Sequence, residues 1–273
     1  MTLVAAYAHC EAVARAWNRD RWLGALFAPA AFRPHLHALM AFESEMAGLR
    51  AHVRDARMGE IRLVWWREAL AGARRDEAQG NPVAAAMLDT LEKFRPPPHL
   101  IENAVAARQF DLYDDPFPTV TDLEAYLGET RSGLLQIAAV ALSEGREDGA
   151  AEASGLAGVA LGLVELLRGL WEPRPLVFAP ADLLERHGAA TEDFCARRAV
   201  QALAELIALA RRRLGEAEAA RAKMPRALAP AYAGLATAPL WLDAIERGLS
   251  GPHPPEVAAW RRQWALWRWS RRA

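Results

Sequence analysis

The sequence predicts an all-α protein. Apolar residues recur at i, i+3, i+4 and i+7 in nearly every long segment, and strict alternation is absent. Ala, Leu, Arg and Glu dominate while β-branched residues are sparse, which is the composition of good helix formers. The period predicts helices over 3–17, 19–28, 31–52 and 58–78. A fifth covers 82–93, opened by Asn81-Pro82, an acceptor followed by a proline that needs no N–H in a first turn. RPPPH at 95–99 reads as a turn, after which 98–112 resumes the pattern. Thr121, three residues before Glu124, marks the start of 121–143. Helices over 150–170 and 179–187 follow, and Thr191-Glu-Asp starts 191–214. The pattern continues over 217–223 and 225–248, and SGPHPP at 250–255 sets off a last helix over 255–270.

At 273 residues the chain is long enough to bury a core without metal or disulfide staples. No linker or internal repeat divides it, so a single domain over 1–273 is expected. Lys and Arg number 33 against 34 Asp and Glu, a formal net charge of -1, which argues against a nucleic-acid surface. Cys10 and Cys195 are far apart with no metal spacing, so reduced, buried thiols of a cytoplasmic protein are expected. The first twenty residues make a poor signal peptide, since no basic residue precedes the apolar part and His9 and Glu11 interrupt it. The longest apolar run, 154–164, is too short to span a bilayer.

Three stretches together resemble the squalene/phytoene synthase family of head-to-head prenyl transferases. These are DRWLGALFAPAAFRPHLHALMAF at 20–42, GEIRLVWWREAL at 59–70, and GLAGVALGLVELLRGLWEPRPLVFAP at 155–180. The resemblance implies an isoprenoid-synthase helical bundle around a central cavity, with an Asp-rich motif on each of two facing helices. Carboxylates one turn apart share a helix face, and two such helices hold the magnesium ions that neutralise a departing diphosphate.

The sequence departs from that pattern at both places. With Ala41-Phe42 fixing the register, the first motif falls on Ala47, Gly48, Leu49, Arg50 and Ala51, with no acid. Glu43 and Glu45 lie two apart, on opposite sides of a helix, and both read as surface acids, with Glu45 a candidate for the cavity mouth. On the second helix, Leu167-Arg168 puts the metal-binding positions at Gly169 and Pro173; Glu165, Arg168 and Glu172 are the polar groups left as candidates to face a cavity or a phosphate. Gly158, Gly162 and Gly169 lie near one face and suggest close helix packing or a groove that a bulky chain could occupy, the packing being the commoner reason.

Asp111, Asp114 and Asp115 form the densest acid cluster; Asp111 and Asp115 have the i,i+4 spacing that suits a metal and are candidates to face a cavity or a phosphate, while Pro116 and Pro118 predict a fraying helix end, where the cluster would be solvated. Trp66 shares a helix face with Leu63 and Leu70 and reads as core. His35 and His37 read as surface or cap residues. The last helix is the most polarised segment: Trp260, Trp264 and Trp267 share a face, and Arg261 and Arg268 stand among them, a pairing suited to a membrane headgroup zone or a partner.

The resemblance therefore implies a member without the magnesium-binding acids, with no metal and no other cofactor. GEIRLVWWREAL is similar to a branch of the family that includes assembly factors for respiratory complex I. A non-catalytic role follows: assisting that complex, or binding an isoprenoid or lipid, in the cytoplasm or peripherally on the inner membrane. The alternative is a magnesium-dependent squalene or phytoene synthase acting on prenyl diphosphates.

Overall fold

The computed structural model describes the chain except Arg54, Asp114, Glu147, Asp148, Pro173, Arg174 and Ala273, and of Arg272 the backbone alone. Helices α1 (Leu3–Trp17), α2 (Arg19–Ala25), α3 (Arg33–His52) and α4 (Ala56–Leu70) open the chain. Their starts are set by short polar side chains. Thr2 accepts from the N–H of Ala5, Asn18 from that of Arg21, and Asp55 from that of Met58. The pattern over 58–78 is broken after Leu70, because Gly72 adopts φ 83° and turns the chain into α5 (Arg75–Gly80). α6 (Pro82–Phe94) starts at Asn81 as expected, its side chain accepting from Val83 and Ala84. Next come α7 (Pro98–Ala106), a 3₁₀ turn (Ala107–Leu112) and α8 (Val120–Leu127). The cap of α8 is Thr119 rather than Thr121, because Thr119 and Asp122 complete a reciprocal capping box.

A π-helical turn (Gly128–Ser132) joins α8 to α9 (Gly133–Leu142), and α10 (Ala150–Gly169) follows. Then come α11 (Ala181–Arg186), α12 (Thr191–Cys195) and α13 (Val200–Arg221). Thr191 is not the cap of α12; that place is taken by Ala190. A 3₁₀ stretch (Arg226–Ala236) containing Pro230, which has no N–H to donate, precedes α14 (Ala238–Gly248) and α15 (Ala259–Arg272).

Among the described residues there is no strand; an isolated bridge between Phe117 and Pro180 is the one sheet-like pairing. α10 runs through the interior, packed on α13, on the π-helical turn and on α9, while α1 and α6 flank α3 on the other side. One apolar core extends from Ala6 to Leu249. α10 as a whole is longer than its apolar run and would pass for a membrane span by length and composition, but 56% of that window is buried inside the protein. Its apolarity is that of a core helix.

Trp66 is buried against Phe42, ring centroids 5.3 Å apart, and Leu63 beside it is buried as well, while Trp65 donates to Glu77 at the surface. His35 and His37 are both buried, contrary to the surface reading, because α3 is enclosed on all sides from His35 to Glu43. Cys10 is buried, its thiol pushed up to about 12 mainly by desolvation, whereas Cys195 is half-buried.

Candidate functional site

The central site is a quartet of charged side chains drawn from separate elements: Arg21 of α2, Glu43 of α3, Arg131 of the π-helical turn and Glu165 of α10. Arg21 Nη1 donates to Glu43 Oε2 at 2.6 Å, and Arg131 Nη1 donates to Glu43 Oε1. Arg131 also reaches Glu165 Oε2 at 2.6 Å, and Arg21 lies 3.9 Å from Glu165 Oε1. Exposures of 2% for Glu43 and 11% for Arg131 put the pair in the interior, with Glu165 at 20% nearer the edge. The formal charges cancel. Burial alone would raise the Glu43 carboxyl, but Arg21 and Arg131 hold it below the usual carboxylate range. Burial would likewise lower the Arg131 guanidinium, and Glu165 and Glu43 raise it instead.

Glycines bring these elements together. A Cβ on Gly158 would lie 2.1 Å from Ser132 Oγ and 2.5 Å from its backbone nitrogen, and one on Gly162 would lie 2.5 Å from the Leu127 side chain. α10 can therefore approach the π-helical turn closely enough for Glu165 to meet Arg131. Close packing is what the glycine line at 158 and 162 provides; Gly169 faces open space. π-turns of this kind commonly re-aim a side chain at functional sites.

A cavity of about 30 Å³ adjoins the quartet, lined in part by Arg21, Glu165, Arg168 and Trp241. Small-molecule pockets span about 300–1,000 Å³, so this space suits a water molecule and not a prenyl chain. Stacked cations stand beside it. Arg168 lies 3.8 Å over the Trp241 ring, and Arg262 of α15 lies 5.4 Å over the same ring while donating to Asp20 at 2.6 Å. Trp241 Nε1 donates to the other Asp20 oxygen at 3.3 Å. Burial lowers the Arg168 guanidinium.

A second buried set lies nearby. Arg108 donates to Asp111 at 3.0 Å and to the Tyr126 hydroxyl, which in turn donates to Asp111. Asp111 thus serves a core hydrogen-bond network, while Asp115 is exposed past the end of the 3₁₀ turn; the two do not meet because the chain extends at Tyr113. Asp114 and Pro173 lie outside the described residues. Glu45 is exposed, since its neighbour Glu43 takes the inward side of α3 and two residues are about 200° of helix. Glu172 is exposed beyond the end of α10. Of the sequence candidates, then, Glu165 joins the quartet and Arg168 borders it. Trp260, Arg261, Trp264, Trp267 and Arg268 are all exposed on α15.

Sequence reasoning missed Glu43, Arg21 and Arg131. One signal for Glu43 exists: it follows Leu39 by four and precedes Met46 by three, and both are buried, so the acid sits within the apolar stripe of α3. An acid on such a face requires a cation.

These residues do not fit magnesium. Glu43 gives both oxygens to arginines, Glu165 gives one at 2.6 Å, and Ala47, Ala51 and Gly169 have no side-chain oxygen to offer. Among the described residues no group of three or more His, Cys, Asp or Glu is placed to hold a metal ion.

The family model described as "Squalene/phytoene synthase" matches residues 14–268. A relative in Rattus norvegicus, named as NADH dehydrogenase (ubiquinone) complex I, assembly factor 6, is 25% identical over 245 residues, 88% of this chain and 73% of the relative. The relative of that name in Homo sapiens is 27% identical over 191 residues, 69% of this chain but only 57% of the human protein. Among solved structures, a dehydrosqualene synthase in complex with ligand superposes with a TM-score of 0.81 at 16% identity, covering 98% of this chain and 96% of that one. A squalene synthase from Alicyclobacillus acidocaldarius gives 0.70 at 22% identity, covering 92% and 97%. At these identities the likeness to the two synthases is one of fold.

Proposed function

The chain belongs to the squalene/phytoene synthase family, and from that premise we propose that it is a non-catalytic member that assists the assembly of respiratory complex I, working peripherally on the membrane. The observation that carries this reading is the self-neutralised centre. Departure of a diphosphate needs concentrated positive charge at the leaving oxygens. Here the two central arginines, Arg21 and Arg131, are paired with Glu43 and Glu165 from within the protein. A diphosphate would have to displace these carboxylates from their arginines, and the adjoining cavity of about 30 Å³ is far smaller than a pocket for a prenyl chain. The shared name of the curated relatives supports the assembly role.

The purified protein is expected to make no presqualene diphosphate, squalene or phytoene from farnesyl or geranylgeranyl diphosphate with magnesium, measured against a boiled control. Product above that control would restore the prenyl transferase reading. The assembly role is tested in cells lacking the protein: native gels should show loss of assembled complex I, returned by the wild-type chain. Normal complex I in such cells would remove the role.

A further inference from the structure

We propose that the outer face of α15 is a docking surface for an anionic lipid bilayer. The helix is fixed to the domain by its inner side. Leu266 is buried, Arg262 bonds to Asp20 at 2.6 Å, and Trp269 lies under the Arg221 guanidinium at 5.2 Å. These contacts seat the helix on α2 and the 3₁₀ stretch. Yet the outer side carries Trp260, Trp264 and Trp267, 69%, 54% and 48% exposed, the last two stacked with ring centroids 4.8 Å apart. Three bulky rings left in water by a helix already anchored are surplus to its folding, and exposed apolar patches of this kind mark interaction sites.

Charge selects the occupant. Arg261, Arg268 and Arg271 are exposed beside the rings and pair with no carboxylate among the described residues, and α15 itself contains no acid. A groove of about 520 Å³ runs along the helix, lined by Arg221, Arg261, Arg268, Trp260 and Trp264, with Glu218 its acidic residue. The surface therefore calls for an extended negative partner with an apolar layer beneath the charge. Tryptophan and arginine also anchor protein interfaces, but there each buried charge meets a partner placed for it. A bilayer offers phosphates anywhere along its plane, and tryptophans settle at its headgroup level while arginines meet those phosphates. A helix of this length, about 20 Å, lies flat in that zone and does not cross it. The inference deepens the peripheral placement proposed above. Vesicles contain no complex I, so failure on vesicles leaves the assembly role intact, and failure of the assembly role leaves this surface intact.

The test uses flotation of the full chain with phosphatidylcholine vesicles, with and without phosphatidylglycerol, at low and high salt. The wild type should float with the anionic vesicles and hardly with the neutral ones. Each arginine near an anionic surface contributes roughly fivefold in partitioning, so the triple variant R261Q/R268Q/R271Q should lose on the order of a hundredfold. High salt should produce a loss of the same order, through screening. The variant W260S/W264S/W267S should also lose binding, together with tryptophan quenching by brominated lipid. All six positions are solvent-facing, and circular dichroism should show both variants folded; if either is not, the single variants R268Q and W264S are expected to weaken binding in the same direction. Equal flotation of wild type and folded variants would overturn the proposal. So would binding indifferent to lipid charge, or a wild-type chain that ignores vesicles and self-associates through a contact abolished by the tryptophan variant.

Discussion

Replacing Glu43 by alanine should cost about 3–5 kcal/mol of folding stability, the usual cost of removing one partner from a buried ion pair. Glu43 is 2% exposed and is the carboxylate that both Arg21 and Arg131 share, so its removal leaves two buried guanidinium groups facing Glu165 alone. A loss of that size is a large fraction of the 5–15 kcal/mol typical of a folded domain. The Glu43→Gln variant separates charge from shape: it fills the same space and keeps an acceptor oxygen, but should remain strongly destabilised because the negative charge is gone. The paired variant E43M/R131M leaves Arg21 opposite Glu165, a neutral remainder, and apolar replacement of a whole buried pair is often neutral or stabilising. The double substitution should therefore be milder than E43A by itself. Denaturant unfolding followed by far-UV circular dichroism gives these values, provided the denaturant slope is unchanged. The pH dependence has a fixed sign. The Glu43 carboxyl is held below its ordinary 4.5, so its contribution is present above that pH and is lost as pH falls through the folded-state value. Wild type and E43A should converge in acid. A cost for E43A under about 1 kcal/mol, or a double variant as unstable as the sum of the singles, would refute the charge argument.

His35 provides a second pH-dependent test. The Tyr7 hydroxyl is committed to Asp89 and the Thr90 hydroxyl to Ala86, so His35 Nδ1 donates to their oxygens and its Nε2 receives Lys93 at 3.2 Å. Burial first, and then the Lys93 charge, lower its pKa from the ordinary 6.5 to about 4. The unfolded chain binds the extra proton between those values, so stability should be full above pH 6.5 and fall by about 3 kcal/mol as pH drops toward 4. His35→Gln should flatten that slope; an unchanged slope in equilibrium unfolding would count against the assignment. Gly158→Ala should destabilise by about 1–3 kcal/mol or more, because its Cβ would meet the Ser132 backbone nitrogen at 2.5 Å, whereas Gly155→Ala, with nothing within 4 Å, should be neutral or stabilising. Equal melting temperatures for the two alanine variants would contradict the close approach.

Periodicity alone revealed the helices, since burial of one face repeats every turn, and it placed Leu63 and Trp66 in the core. It could not see where a helix pauses. The 58–78 pattern is divided by a positive φ at Gly72, and 121–143 hides the π-turn that presents Arg131, because apolar spacing barely changes when one residue is added to a turn. The quartet was harder still. Arg21, Glu43, Arg131 and Glu165 come from distant parts of the chain, and nothing in the local pattern of any one of them names its partners. Asp111 and Asp115 do not form the pair their spacing suggests, because i,i+4 neighbours share a face only in an α-helix and this segment is a 3₁₀ turn that ends at Leu112.

A synthase centre must leave cationic charge available for a ligand that arrives with negative charge and departs with more. In this chain the central arginines are fixed to internal carboxylates, and the helix approach that fixes them depends on Gly158 and Gly162, where any larger residue would push α10 away. Ion pairs buried at this depth contribute little net stability against an apolar alternative, so stability alone does not account for them. They do hold α2, α3, the π-turn and α10 in one fixed relation through four groups that must all be satisfied together. The centre thereby ties these four elements into one body. The outer face of α15 is joined to this body through Arg262 and Asp20, one residue from Arg21, so the surface proposed to meet lipid is coupled by short contacts to the element that carries one of the four central charges.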